Sequence, residues 1–226
     1  MKVLVSITST GKPNFNERIK EIKELAIDEI ALFVTAIEKN ERKNLYELLK
    51  KSKITKIPFV HLRADMKVDE LDFLVENFGT EIFNIHGAKS RFPFTNDFSK
   101  YDKKIFLEVQ YHRQNESELN KYGGICLDVC HLEDFRLRHS ALYGYYLNLM
   151  ENHKVGCGHI SAIKKWPLFY WKGPNFTFGH HSYSKLNHFD YLKRYKNILA
   201  PVMALELENS IIQQIEAKKY IEKILL

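Results

Sequence analysis

Six short apolar runs in this chain each end in one ionisable side chain. Each run has the length and composition of a buried strand, with its carboxylate or imidazole at the carboxyl end. In a closed barrel of parallel strands all carboxyl ends lie on one face, so these six groups are expected to meet at a single site. The runs are IPFVH ending at His61, EIFNIH at His86, IFLE at Glu108, GICLD at Asp128, KVGCGH at His159 and PVMALE at Glu206.

The rest of the chain supplies the elements that such a barrel needs. Strands that alternate with helices predict βαβ crossovers and a parallel sheet. Eight strands close the (β/α)8 TIM barrel, so we predict an α/β fold with a single domain over residues 1–226. Strands are predicted at 2–8, 28–34, 57–61, 81–86, 105–109, 124–128, 154–159 and 201–206, and helices at 14–26, 40–52, 69–78, 133–152, 186–199 and 210–225, with a short helix in ESELNKYGG.

Composition argues against several other classes of protein. The chain has no run of about 18 apolar residues and no signal-type segment, so a cytoplasmic protein without membrane contact is expected. Its three cysteines lie in apolar runs without CxxC spacing, which predicts buried thiols rather than a disulfide framework or a zinc ribbon. The net charge of +6 favours anionic partners, but the lysines are spread over helix faces, where an ordinary solvated surface accounts for them.

The segment LDVCH carries the sharpest local pattern. Asp128 ends a strand and His131 follows three residues later, so both side chains can reach one cation. The pattern D-x-x-H is common by chance, but here Glu108, His159 and Glu206 join it from other strand ends. Carboxylate and imidazole donors together suit Mn, Zn, Fe or Co better than calcium. We therefore predict a divalent metal ion, Mg included, at the carboxyl face of the barrel.

Two pairs of nearby residues leave alternatives open. Glu206 and Glu208 share the same strand parity, so one would be a metal ligand while the other lies nearer to a bound substrate. Glu206 is the predicted ligand. His180 and His181 are adjacent in a loop and are either functional or simply exposed.

The segment at residues 160–185 is predicted to be a long loop at the same face. It interleaves Trp166 and Trp171 with lysines such as Lys164 and Lys165, a composition that can stack on sugar or base rings and hold phosphate. A loop of this length after a strand end is typical of a lid or a substrate-binding loop. The alternative is a hydrophobic plug over the barrel end or a dimer contact.

Together these motifs resemble one known family. VH at 61, IHG at 86, LE at 108, LDVCH ending at 131, GHIS around 159, HHSYSKLNHFDYL at 180–192 and ALE at 206 are similar to motifs of the xylose isomerase-like TIM barrel superfamily. This superfamily includes sugar and sugar-phosphate isomerases and epimerases as well as apurinic endonuclease IV. The resemblance runs from the third predicted strand to the eighth.

The resemblance implies roles for individual residues. One divalent metal would be held by Glu108, Asp128, His159 and Glu206, and the two glutamates would also be catalytic by exchanging a proton of the substrate. In endonuclease IV, histidines that match His61 and His86 bind further zinc ions, and an Asp-x-His pair follows strand seven, where this chain has Gly179 instead of the Asp. The expected substrate-binding residues are His61, His86, His131, Lys164, Lys165, Trp166, His181 and Glu208.

The expected function is isomerisation or epimerisation of a small sugar, a sugar phosphate or a related hydroxy-carbonyl compound through a metal-stabilised enediolate. The first alternative is an endonuclease IV-like phosphodiesterase that acts on abasic DNA. The missing Asp and the short chain argue against a complete trinuclear site, so nucleic acid is not the favoured partner. The second alternative is a non-catalytic barrel that binds a metal or another ligand, because one fold hosts many functions.

Overall fold

Nine parallel strands form one sheet at the centre of the protein. The computed structural model describes residues 1–11, 13–90, 96–169 and 176–226. The strands are β1 (Lys2–Leu4), β2 (Ser6–Thr8), β3 (Glu29–Phe33), β4 (Lys56–His61), β5 (Ile82–Ile85), β6 (Ile105–Glu108), β7 (Ile125–Asp128), β8 (Val155–Ile160) and β11 (Val202–Leu205). Between β8 and β11, the strands β9 (Ala162–Phe169) and β10 (Phe176–His180) form a separate antiparallel hairpin. The order in the main sheet is β1-β11-β8-β7-β6-β5-β4-β3-β2.

The sheet closes through the first strand of the barrel. β1 and β2 are two halves of one run and are separated only by Val5. β1 pairs with β11, with Lys2 opposite Val202, whereas β2 pairs with β3, with Ser6 opposite Ala31. The two ends of the sheet are therefore consecutive pieces of backbone, and the sheet wraps into a nearly closed barrel. The predicted (β/α)8 TIM barrel is confirmed.

Helices cover the outside of the barrel. Their starts follow from capping, because Asn14 accepts hydrogen bonds from the N–H groups of Asn16 and Glu17, and Ser210 forms a capping box with Gln213. The helices are α1 (Phe15–Glu24), α2 (Lys39–Lys50), α3 (Val68–Phe78), α4 (Glu116–Lys121), α5 (Val129–Arg138), α6 (Ser140–Asn152) and α7 (Ile211–Leu225), with 3-10 helices at Ser99–Lys104 and Leu186–Tyr195. In the described ranges every helix is too short or too polar to span a bilayer.

Successive side chains of a strand point to opposite faces of the sheet, so the buried apolar residues form two layers. One face of the sheet packs against the helices, as Leu32 and Val60 do. The other face fills the barrel, and a methyl group on Gly156 would collide with the Phe106 ring, which shows how tightly the interior is packed. The interior layer consists of Leu4, Ala31, Phe33, Phe59, Phe106, Cys126, Cys157 and Ala204.

Three predictions of local structure were wrong. The helix predicted at 133–152 is two helices, α5 and α6, which meet at His139, where φ is −140° and ψ is 67°. The segment predicted as a loop at 160–185 contains the β9–β10 hairpin. Pro167 argues against a strand, but it lies where the ladder is interrupted, between the pairs Leu168–Thr177 and Ile163–Gly179. The helix predicted at 186–199 is the 3-10 helix Leu186–Tyr195.

A buried arginine braces the loop after β4 at the carboxyl face. Arg42 in α2 is fully buried and donates hydrogen bonds of 2.9 and 2.8 Å to the two carboxylate oxygens of Glu70 in α3. It also donates to Asp65, at 3.1 Å, and to the carbonyl of Ile37, at 3.0 Å. The bidentate pair and these two further acceptors satisfy the guanidinium, so this network holds α2, α3 and the loop together.

Candidate metal centre

Three carboxylates surround one imidazole nitrogen at the carboxyl face of the barrel. His159 Nδ1 lies 3.7 Å from Glu108 Oε2, 3.9 Å from Asp128 Oδ2 and 3.6 Å from Glu206 Oε2, and all four side chains are buried. The sheet register explains this arrangement. Asp128 and Ala204 both lie directly opposite His159 on neighbouring strands, and Glu206 follows Ala204 by two residues. The structure thus brings together the four residues predicted as ligands, which we call the ligand cluster.

The chemistry of the ligand cluster fits a divalent cation. His159 Nδ1 is buried and has no hydrogen-bond partner, a state that costs roughly 1–3 kcal/mol. Around an ion with bonds of roughly 2.1 Å, neighbouring donor atoms lie roughly 3.0–3.4 Å apart, slightly closer than the separations found here. Asp128, His159 and Glu206 offer ligand atoms within 4.8 Å of one another and can share one ion after a small contraction, and Glu108, 3.7 Å from the same nitrogen, is the fourth candidate ligand. One nitrogen with three carboxylates is a donor set for Mn, Zn, Fe, Co or Mg.

Glu108 also contacts side chains from two further strands. Its Oε2 is 2.7 Å from His61 Nε2 and 3.5 Å from His86 Nε2, and it accepts a hydrogen bond of 3.0 Å from Asn84 Nδ2. His61 Nδ1 is 3.0 Å from the carbonyl of Leu62, and this contact assigns the ring proton to Nδ1. His61 Nε2 and the Glu108 carboxylate are then two acceptors at hydrogen-bond distance. A proton or a cation must therefore lie between them.

Burial sets the protonation of these groups. Burial raises the pKa of Glu108 and of Glu206, because the charged form of each carboxyl group loses its hydration. Burial lowers the pKa of His61 and His159, and it lowers the pKa of His86 to about 4. The three imidazoles are therefore neutral at pH 7 and can act as ligands, whereas both glutamates hold protons more tightly than free carboxyl groups do.

The pair formed by Asp128 and His131 is created by the start of α5. Asp128 Oδ1 accepts the backbone N–H of His131 at 2.8 Å and caps the helix, and Oδ2 lies 3.3 Å from His131 Nδ1. That Nδ1 donates to the carbonyl of Val109 at 2.8 Å, so Nε2 is the acceptor of the neutral ring. Burial alone would lower the pKa of His131, but the carboxylates of Asp128 and Glu108 and the hydrogen bond to Val109 together outweigh it, and the pKa is raised.

A cavity of about 340 Å³ opens beside the ligand cluster. Its volume is in the range of small-molecule sites. His86 lines the cavity and lies 3.5 Å from Glu108, so the cavity and the carboxylates are adjacent. The remaining lining residues are Thr35, Ala36, Leu62, Arg63, Ala64 and Asp65, from the loops after β3 and β4.

Glu206 and Glu208 lie in different surroundings, and so do His180 and His181. Glu206 is buried in the ligand cluster, whereas Glu208 is exposed and its carboxyl group packs against Gly11. His181 Nδ1 lies 3.8 Å from Glu206 Oε1, and burial lowers the pKa of His181 less than the carboxylates of Glu206 and Asp128 together raise it. His180 Nε2 is instead 3.2 Å from the carbonyl of Trp166 in the hairpin.

Lys164, Lys165 and Trp166, which were predicted to bind the substrate, lie on β9. Lys164 Nζ reaches Ser182 Oγ at 3.4 Å, and Lys165 Nζ lies 5.7 Å from the centre of the Trp166 ring. The Trp166 side chain is 76% exposed. Within the described ranges neither lysine forms an ion pair with a carboxylate of the ligand cluster. Trp171 lies outside the described residues.

Sequence reasoning missed two residues that contact the ligand cluster. Asn84 donates to Glu108, and Cys126 Sγ lies 3.4 Å from His159 Nε2. Asn84 precedes His86 by two positions and Cys126 precedes Asp128 by two. Since residues two apart on a strand face the same side, a polar residue or cysteine at such a position is expected beneath the strand-end group. This signal was present in the sequence.

Comparison with known proteins finds similarity among solved structures. No protein-family model and no curated protein matches the chain. The crystal structure of a xylose isomerase-like TIM barrel protein from Mycobacterium smegmatis in complex with magnesium is 11% identical, with a TM-score of 0.48, over 99% of this chain and 96% of that chain. The crystal structure of a D-tagatose 3-epimerase-like protein is 14% identical, with a TM-score of 0.48, over 98% and 97%.

Proposed function

We propose that the protein is a divalent-metal-dependent isomerase or epimerase of a small sugar, a sugar phosphate or a related hydroxy-carbonyl compound. The observation that carries this proposal is the placement of Glu108 and Glu206. They approach the same nitrogen of His159 from different strands, and the pKa of each is raised by burial. Proton exchange at carbon needs groups that take up and release a proton near neutral pH, and two such carboxyl groups beside one ion meet that need.

The ligand cluster supplies the residues of a mechanism. A bound ion would polarise the substrate carbonyl and stabilise the negative charge that develops on its oxygen. Glu108 or Glu206 would take the proton from the carbon beside the carbonyl, and the other would return a proton to the neighbouring carbon or to the opposite face. His131, held by the carbonyl of Val109, would present Nε2 to a substrate oxygen.

The surroundings of the ligand cluster support a small substrate. The cavity of about 340 Å³ leads to His86 and from there to Glu108, with room for a molecule of sugar size. We propose that the β9–β10 hairpin contributes a lid over this face. The 76% exposure of Trp166 supports this role, because a plug packed over the barrel end would bury that side chain.

Exchange of a carbon-bound proton tests the proposal. The protein would be incubated in D2O with Mn²⁺, Mg²⁺, Zn²⁺ or Co²⁺ and a panel of aldoses, ketoses and their phosphates, and NMR would detect deuterium at the carbon next to the carbonyl. We expect exchange that is lost in Glu108→Gln and Glu206→Gln. Glu208→Gln is the matched control, because this exposed glutamate lies two residues from Glu206, and it should retain exchange. Absence of exchange across the whole panel with every metal would contradict the proposal.

A second candidate is a metal-dependent phosphodiesterase that acts on abasic DNA. The observation that favours it is the position of His61 and His86 beside Glu108, which extends the donor set beyond the needs of one ion. Incision of an abasic duplex by metal-loaded protein, lost in Glu108→Gln, would support this candidate. Binding would then weaken with salt by a log-log slope of about 0.9 per phosphate contacted. Metal binding without exchange or incision would point to the non-catalytic alternative.

A further inference from the structure

A thiol lies directly beneath the imidazole of the ligand cluster. Cys126 Sγ is 3.4 Å from His159 Nε2, and both side chains are fully buried. Cys126 reaches this position from β7, where it precedes Asp128 by two residues and faces the same side. The two ring nitrogens of His159 therefore have different surroundings, with sulfur at Nε2 and carboxylates at Nδ1.

The orientation of the His159 ring is fixed by packing. Phe59 stacks on it with a centroid distance of 5.6 Å, and Phe33 meets it edge-on at 5.0 Å. His61 lies 5.2 Å away in a second stacked arrangement. A ring held on several sides cannot exchange the places of its two nitrogens without disturbing the barrel interior. The ring can therefore vary only in which of its two nitrogens carries the proton.

The hydrogen-bond partners favour a proton on Nε2. His159 is fully buried, where a charged ring would lose its hydration, so the ring is neutral and carries one N–H. Nδ1 has no hydrogen-bond partner, since the three carboxylates lie 3.6 to 3.9 Å from it. Nε2 has the sulfur of Cys126 within reach. A proton on Nε2 can be donated to this sulfur, and the Nδ1 lone pair then faces the space between the carboxylates.

Cys126 is able to accept this proton because its own thiol hydrogen has another partner. Cys157 lies directly opposite Cys126 on β8, and the two buried thiols interact. Cys126 is fully buried in the apolar interior layer, where a thiolate would lose its hydration, so the side chain is a neutral thiol. The Cys126 S–H can therefore point to Cys157 while a sulfur lone pair faces His159.

We propose that Cys126 is a positioning residue whose sulfur accepts the Nε2 proton of His159 and thereby holds the ring in the tautomer that offers Nδ1 to a divalent cation. The proposal rests on the metal site of the proposed function. Histidine ligands usually donate their second N–H to a carboxylate, a carbonyl or water. A neutral thiol fixes the tautomer without adding negative charge to a site that already contains three carboxylates.

Nitrogen NMR of the metal-free protein tests the tautomer directly. In ¹⁵N-histidine-labelled protein, wild-type His159 should carry its proton on Nε2. Cys126→Ser, which keeps an acceptor, should preserve this state, whereas Cys126→Ala should give a mixture of tautomers. Cys130→Ala is the matched control, because it removes a buried thiol from α5 that contacts the carbonyl of Ala162 rather than His159. Wild-type His159 protonated on Nδ1 would overturn the proposal.

Affinity for Zn²⁺ and Mn²⁺, measured by chelator competition, provides the second readout. We expect Cys126→Ala to bind about tenfold more weakly than wild type, and Cys126→Ser and Cys130→Ala to stay within about twofold. Unchanged tautomer and affinity in Cys126→Ala would overturn the proposal. If Cys126→Ala does not fold, the wild-type and Cys126→Ser spectra decide the matter. If the wild type binds neither ion, the proposed metal function fails, while the tautomer comparison still tests the role of Cys126.

Discussion

Replacing Asp128 with Asn separates the two roles of this side chain. Asp128 caps α5 through Oδ1, which accepts the N–H of His131 at 2.8 Å, and it faces the ligand cluster through Oδ2. Asn caps helices about as well as Asp, so the start of α5 should be preserved. The negative charge beside His159 Nδ1, 3.9 Å away, is removed. The variant should therefore fold normally and lose metal affinity.

The expected loss can be worked from Coulomb's law. A unit charge about 4 Å from a unit positive charge contributes roughly 4 kcal/mol at an effective dielectric constant of about 20. For a divalent ion this value is a lower bound, and it corresponds to a dissociation constant that is larger by a factor of at least about a thousand. In the metal-free protein the Asp128 carboxylate instead raises the pKa of Glu108 and Glu206 by repulsion, in addition to the effect of burial. Asp128→Asn should therefore leave the metal-free protein at least as stable as the wild type.

Two measurements check this prediction. Elemental analysis after dialysis, with chelator competition for Zn²⁺ and Mn²⁺, gives the metal content and affinity. Thermal unfolding of the metal-free proteins gives the stability. Asp97→Asn is the matched control, because Asp97 also accepts a backbone N–H, from Ser99 at 2.9 Å, but is exposed outside the ligand cluster. Equal metal affinity in Asp128→Asn and wild type would refute the assignment, and a large loss of metal-free stability would refute the separation of roles.

Three further predictions concern protons, the arginine network and the hairpin. Because the pKa values of Glu108 and Glu206 are raised, metal binding should release protons, and affinity should increase with pH through the range above the usual carboxyl pKa. Calorimetry in buffers of different ionisation enthalpy would measure this release, and its absence would contradict the prediction. Arg42→Met leaves the buried Glu70 carboxylate unpaired and should lower the free energy of unfolding by about 3–5 kcal/mol in urea titrations; a loss below about 1 kcal/mol would contradict this. Trp166→Ala should change the free energy of unfolding by less than about 0.5 kcal/mol, because the side chain is mostly exposed. A larger loss would favour the alternative in which the segment at 160–185 is a hydrophobic plug over the barrel end.

The strands of the barrel could be predicted because they are buried on both faces. Such strands appear in sequence as continuous apolar runs, and one ionisable residue marks the carboxyl end of six of the eight predicted strands. The run at 124–128 became β7 (Ile125–Asp128), for example. The break between α5 and α6 was not predictable in this way, because it falls at His139 without a proline or glycine beside it. The hairpin was hidden by Pro167 and by its irregular register.

The convergence of the ligand cluster was predictable, but the fine contacts within it were not. Residues two apart on a strand face the same side, so strand alternation alone could not distinguish Glu206 from Glu208 as the metal ligand. The turn after β11 decides, because the Glu208 N–H donates to the carbonyl of His181 at 2.6 Å and the Glu208 side chain packs over Gly11. The protonation of His159 likewise depends on Cys126, a partner from another strand.

Because β1 pairs with β11, the first strand of the chain completes its sheet pairing only when the last strand is present. Lys2 pairs with Val202, so β1 has no sheet partner until β11 has left the ribosome. β2 can pair with β3 much earlier, because Ser6 and Ala31 are close in the chain. A nascent chain that lacks β11 would therefore expose the edges of β1 and β8 together, and unpaired edges associate readily with other chains. Synthesis that stalls before the last strand is expected to yield aggregates rather than an open but stable barrel.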